Sequence, residues 1–135
     1  MRMLSKQEQG KRNKSAGNRF EAKVSEDLIS KGWIVIKNPN DVRDNIFKKT
    51  KTKWNPFTKR PMMLGSGFPD FITYRISKDN SNYFVINGVE CKSGKYLTKE
   101  EKEKCEWLLK NKIFLSIIIA SKGKKRGEIK YENYK

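Results

Sequence analysis

The stretch from Gly67 to Lys92 constrains this chain more than any other part of it. It reads Gly67-Phe68-Pro69-Asp70-Phe71, a short apolar run, a polar turn at 77–82, and then Val89-Glu90-Cys91-Lys92. Short apolar runs bounded by turn residues are strand signals. Successive strand side chains point to opposite faces, so Glu90 and Lys92 share one face while Val89 and Cys91 take the other. Two carboxylates and an ammonium gathered at strand ends suit a divalent metal ion beside a phosphate.

Charge narrows the partner. The 135 residues, one domain of ordinary size, carry 31 Lys and Arg against 15 Asp and Glu, a formal net charge of +16. A charge that repels itself this strongly is expected where the partner is a polyanion, and nucleic acid leads. The basic residues do not line one face of a long amphipathic helix, which disfavours a membrane surface. There is no histidine. That excludes Ser-His and Cys-His triads, histidine general acid–base chemistry and a Cys/His zinc site. Any metal is then a hard ion on oxygen ligands, Mg²⁺ or Mn²⁺. Two cysteines, Cys91 and Cys105, fit a reducing compartment. The N-terminus has no apolar signal core, and the longest apolar run, Ile113 to Ala120, is too short to span a bilayer. A soluble protein of the cytoplasm, in a prokaryotic or virally infected cell, is expected.

Taken in order, residues 1–14 read as a flexible basic arm. Phe20, Val24 and Leu28 recur every four residues and predict a helix over 16–31, stopped by Gly32. From spacing alone, Glu21 is a solvated glutamate at the edge of the buried stripe. Trp33 to Ile36 reads as a buried strand, broken by Asn38-Pro39-Asn40-Asp41. Residues 42–66 show no clear period and form a basic loop. Lys48, Lys49, Lys51, Lys53, Lys59 and Arg60 would neutralise phosphates while Trp54 stacks on a base. The competing reading is that the aromatics pin the loop to the core and the lysines are merely solvated. Phe68 to Arg75 predicts a second strand. Tyr83 to Ser93 predicts a third, with a bulge or kink at Asn87-Gly88. Thr98-Lys99-Glu100-Glu101 has capping-box spacing and opens a second helix to about Lys110. Ile113 to Ala120 reads as a strand buried on both faces, and Ile129 to Tyr134 as a short edge strand.

Helix, strand, long loop, strand, strand, helix, strand, with Pro69-Asp70 and Glu90-Cys91-Lys92 in place, resembles the PD-(D/E)XK nuclease superfamily. The resemblance covers roughly residues 15–120. Gly17-Asn18-Arg19-Phe20-Glu21 is similar to the helix-one motif of archaeal Holliday junction resolvases. Gly67-Phe68-Pro69-Asp70, with Leu97-Thr98 opening a helix that carries Trp107, also resembles the VRR-NUC branch. That branch usually has glutamine early in the second helix, where this chain has Glu101 and Lys102.

The resemblance implies an α/β fold with a restriction-endonuclease-like αβββαβ core, a mixed central sheet flanked by helices. It implies a metal-dependent endonuclease acting on DNA, with Mg²⁺ held by Asp70, Glu90 and the Cys91 backbone carbonyl. Glu21 would reach the metal directly or through water. Lys92 would orient or help deprotonate the attacking water and stabilise developing charge. Arg19 joins the basic loop as a DNA-contact candidate, and Ser66, just ahead of Gly67, is another. Branched or junction DNA and a homodimer follow from the resolvase likeness. The alternatives are a VRR-NUC-like or phage-type repair nuclease, a non-catalytic nucleic-acid-binding module of the same fold, and an RNA-binding basic protein.

Overall fold

The structure, a computed structural model, describes residues 3, 5–63, 67–93 and 96–135. Its chain order is α1 (Lys6–Ser30), β1 (Ile34–Lys37), β2 (Asn40–Arg43), β3 (Ile46–Lys49), β4 (Thr52–Asn55), β5 (Arg60–Met63), β6 (Phe71–Ile76), β7 (Phe84–Lys92), α2 (Lys99–Lys110), β8 (Ser116–Lys122) and β9 (Ile129–Asn133). The protein is α/β, built on a mixed five-stranded sheet in the order β1-β6-β7-β8-β9. Pairing is antiparallel from β1 through β7, parallel between β7 and β8, and antiparallel again at β9. The parallel step needs a crossover, and α2 supplies it.

Each face of the sheet has its own core. On one, Phe20, Val24 and Leu28 of α1 pack on Phe71, Val89 and Ala120, the four-residue spacing turned directly into a buried stripe. On the other, Cys105 and Leu108 of α2 pack with Phe68, Phe114 and Ile117. The capping box forms as the sequence predicts: Thr98 accepts from the Glu101 amide and Glu101 from the Thr98 amide. Among the described residues no helix is long and apolar enough to cross a membrane.

Four expectations are corrected. Residues 6–14 of the supposed arm are helical, because Ser5 caps the Glu8 amide at 3.1 Å and lysine, glutamine and arginine favour helix without a core to bury. The basic loop is two hairpins, β2–β3 and β4–β5. Asp44 and Asn45 both take left-handed backbone (φ 54° and 57°), giving the two-residue turn whose twist suits a hairpin. Trp33 to Ile36 is not the buried strand the sequence predicts. β1 is an edge strand that leaves Ile34 and Ile36 about half exposed (51% and 47%). Finally, β7 runs through Asn87-Gly88 without a bulge, pairing Thr73 with Asn87 and Ile72 with Gly88 in regular register. Gly88 is needed for space instead: a Cβ there would lie 2.5 Å from Pro69 Cγ and 3.3 Å from the Phe114 ring.

Candidate active site

The unbroken β7 decides where the acids fall. Phe71 pairs with Val89, so Asp70 and Glu90 meet at one end of the β6–β7 ladder. Their contacts interlock through the backbone. The Cys91 amide donates to Asp70 Oδ2 at 2.8 Å, and the Asp70 amide donates to Glu90 Oε1 at 3.1 Å. Each carboxylate is thus placed by the other strand's main chain.

The segment leading to Asp70 is fixed by a residue that reads in the sequence only as part of a turn. Asn38 is buried. Its side-chain amide donates to Pro69 O at 2.7 Å and Asn40 O at 3.0 Å, and its Oδ1 accepts from the Asn40 amide. The Asn38 amide donates to Asp70 O and the Phe68 amide to Asn40 O. Gly67 lies flat on this strap; a Cβ there would come within 1.9 Å of Asn38 O. The Phe68–Pro69 peptide is cis.

Lys92 completes the face that Glu90 occupies. Its ammonium is 3.5 Å from Glu90 Oε2 and hydrogen-bonds to Glu101. Glu101 therefore serves twice, closing the α2 capping box with one oxygen and holding Lys92 with the other. The sequence shows the first role; the second depends on how α2 docks against β7, which no local pattern encodes. Lys104, one turn on, pairs with Asp41 at 3.1 Å and ties the β2–β3 hairpin to α2.

Electrostatics sort these groups. Glu90 is pushed up to about 10, by burial first and then by the charge of Asp70, against the opposing pull of Lys92. Glu21, half-buried on α1, is also raised, by burial and then by Asp70, so it lies within reach of the same negative charge. Burial pulls the Lys92 ammonium down, but the Glu101 hydrogen bond and the charge of Glu90 outweigh it, and the net shift is upward. Glu101 is lowered: its burial is overcome by Lys92 and the Thr98 amide. The Cys91 thiol is raised by burial and then by Asp70, Glu21 and Glu90. It remains a protonated, core-facing group.

Asp70 and Glu90 fit a hard divalent ion. They are adjacent oxygen donors, and Glu90 keeps a proton that such an ion would displace. Among the described residues no three acids or thiols are gathered as a metal cluster. The two side chains would be the main ligands, with backbone carbonyl and water completing the shell.

The basic candidates divide. Lys48 and Lys49 lie on β3, where Lys48 faces Asp44 at 3.5 Å and the Lys49 carbonyl accepts from Arg43. Lys51 and Lys53 are exposed beside Trp54 (60% exposed) on and just before β4, and Lys59 and Arg60 close that hairpin. The hairpin leaves and rejoins the fold beside the Asn38 strap: the Thr50 amide donates to Pro39 O, and Gly67 packs on Asn38. The aromatics that do pin are Phe47, edge-on to Phe114 at 5.8 Å, and not Trp54 or Phe57. Arg19 is exposed on α1, away from the hairpins. Ser66 lies outside the described residues. No protein-family model matches the chain, and no curated protein or solved structure does either.

Proposed function

We propose that the protein is a Mg²⁺-dependent endodeoxyribonuclease with a restriction-endonuclease-like core, selective for branched DNA in the manner of a Holliday junction resolvase. The order α1, β1, β6, β7, α2, β8, with three antiparallel strands and then one parallel, supports the αβββαβ core. The observation that carries the reading is the interlocked pair Asp70–Glu90 with Lys92 on the same face as Glu90.

A divalent ion held by Asp70 and Glu90 would neutralise phosphate charge and acidify bound water. Asp70 and Glu90 are the binding groups, pre-placed by amides. Lys92, kept as an ammonium by Glu101 and Glu90, suits orienting water and stabilising charge on the phosphate more than abstracting a proton. Glu21 reaches the same negative field from α1. The β4–β5 hairpin offers Lys51, Lys53 and Arg60 for phosphates and exposed Trp54 and Phe57 for unstacked bases. One observation favours the VRR-NUC-like alternative: Glu101 contacts Lys92 from the helix in which that branch carries glutamine.

A homodimer belongs to this reading. Ile34, Ile36, Ile76, Phe84 and Ile86 leave an uncharged patch on the open sheet face beyond α2. Two chains of +16 repel each other, and an uncharged apolar patch is the surface on which they would meet at least cost. Cytoplasmic action on cellular or viral DNA follows from the same activity.

The test is cleavage of four-way junction, flap, duplex and single-stranded DNA in Mg²⁺ and in EDTA. Cleavage of a branched substrate in Mg²⁺ alone, lost in Asp70→Asn and Lys92→Ala, is expected. If wild type cuts none of the four, or both variants cut normally, the assignment fails.

A further inference from the structure

The groove between α1 and the β8–β9 turn holds charge that the proposed chemistry does not use. It encloses about 830 Å³ and is lined by Arg19, Lys23, Lys122, Lys124, Lys125 and Arg126, with Glu26 and Glu128 as its acids. Glu128 is turned back into its own loop, accepting the Lys125 amide at 3.0 Å. The loop is further closed by Gly123 N–H to Glu128 O at 2.8 Å and Glu128 N–H to Lys125 O at 3.1 Å. Gly127, with φ +83°, brings the turn against α1, 3.6 Å from Lys23 Nζ measured from where its Cβ would stand. Among the described residues none of the six cations has an ion-pair partner. Lys31, Lys104 and Lys130 find acids, whereas here six cations without an ion pair line one groove.

Its position relates it to the acids. Lys122 is the last residue of β8, next to Ser121, which pairs with Lys92 across the parallel ladder. The groove therefore opens at the same end of the sheet as Lys92, but on the α1 face, while Lys92 is held on the α2 face by Glu101. A DNA strand advances about 3.4 Å per nucleotide, so a backbone that rounds this end of the sheet from the acids would meet the groove on the α1 face. The lining offers no exposed aromatic ring for a base, in contrast to the Trp54 hairpin. Lysines and an arginine on a turn with no stacking platform suit phosphate contacts, which carry no sequence information directly.

We propose that this groove clamps the sugar-phosphate backbone of the duplex arm flanking the cleaved bond. Its place beside the scissile phosphate rests on the nuclease reading; the binding itself does not. The test is equilibrium binding of the full chain to short duplexes of two unrelated sequences in EDTA across a salt series. The variant is Lys124→Ala/Lys125→Ala/Arg126→Ala, all on an exposed turn. The control removes equal charge at the opposite end of the sheet, Lys78→Ala/Lys110→Ala/Lys112→Ala. The groove variant is expected to lose tenfold or more in affinity for both sequences. Its slope of log affinity against log salt should be shallower by about 3, near one unit for each phosphate no longer neutralised. The control should change little. Equal losses in both variants mean that only net charge matters and overturn the proposal, as does an unchanged slope in the groove variant. A loss confined to anionic phosphatidylserine vesicles, with DNA binding intact, overturns it in favour of a membrane. Because binding is read without metal, absent cleavage by wild type would sink the nuclease reading and leave this result standing.

Discussion

Replacing Glu90 with glutamine should stabilise the metal-free protein while abolishing its proposed activity. Glu90 is pushed from 4.5 to about 10, chiefly by burial and then by Asp70. Its folded value lies above its unfolded one, so the native state binds the extra proton between those limits. Stability contributed by the protonated form is complete below pH 4.5 and is lost progressively as pH rises towards 10. Holding the proton from pH 4.5 to pH 7 costs up to roughly 3 kcal/mol. Glutamine keeps an acceptor for the Asp70 amide and cannot ionise, so Glu90→Gln escapes that cost. At roughly 3 °C per kcal/mol for a domain of this size, Tm at pH 7 in EDTA should rise by as much as about 10 °C, and the gain should vanish near pH 4.5. Thermal unfolding followed by circular dichroism at a series of pH values reads both. Mg²⁺ should then raise Tm for wild type and not for the variant. A variant that melts lower than wild type by the same margin at every pH would refute the reasoning. It would mean that Glu90 is ionised in the fold and that its contact with Lys92 outweighs burial.

Glu101→Ala removes the capping box and the Lys92 partner together and should cost about 1 kcal/mol in denaturant unfolding; Glu101→Gln should recover the cap but not full cleavage. Gly88→Ala places a methyl 2.5 Å from Pro69 Cγ. It should cost about 1–3 kcal/mol, and by shifting Asp70 it should weaken Mg²⁺ binding in calorimetry. The Tyr131 hydroxyl donates to Asp27 at 2.5 Å and Lys31 pairs with the same carboxylate, holding Asp27 below its ordinary value. That stabilisation is present above the unfolded value and lost as pH falls through the folded one, so Tyr131→Phe should cost about 1 kcal/mol at pH 7 and progressively less below pH 4. Ile36→Lys/Phe84→Glu should give a monomer by sedimentation if a second copy covers the open sheet face, with an unchanged far-ultraviolet spectrum.

What is legible in the sequence is whatever rests on local repetition. The Phe20–Val24–Leu28 stripe, the Thr98 box and the alternation that puts Glu90 and Lys92 on one face all follow from periodicity, and all appear in the structure. The failures share one cause: residues whose reason lies across the fold. Gly88 reads as a bulge because its neighbours Pro69 and Phe114 are distant in sequence. Asn38 reads as an ordinary turn residue, though its amide reaches Pro69, 31 positions away. The hairpins hide because Asp44-Asn45 makes the turn without the usual glycine, by taking left-handed backbone at two residues that tolerate it. Arg19 groups by charge with the DNA candidates of the 42–66 segment, but the cations it joins in space belong to the β8–β9 turn.

The strongest support for the proposed cation at these acids is how they are held. A chain with 31 basic residues and 15 acidic ones could pair every carboxylate with a lysine or arginine. At the surface it does so at Asp27 and Glu132. At the end of β6 and β7 it places two carboxylates side by side, one of them buried, and stabilises them with backbone amides. The Lys92 ammonium is drawn to Glu101 and stands 3.5 Å from Glu90. An amide fixes a carboxylate's position without cancelling its charge. Glu90 and Glu21 are raised by burial first and by the charge of Asp70 second, and a lysine moved into the pair would offset the second. On the proposed reading an external cation displaces the Glu90 proton and completes the pair, and an external anion answers the cations beside Lys122. A phosphodiester with its divalent counter-ion supplies both at once.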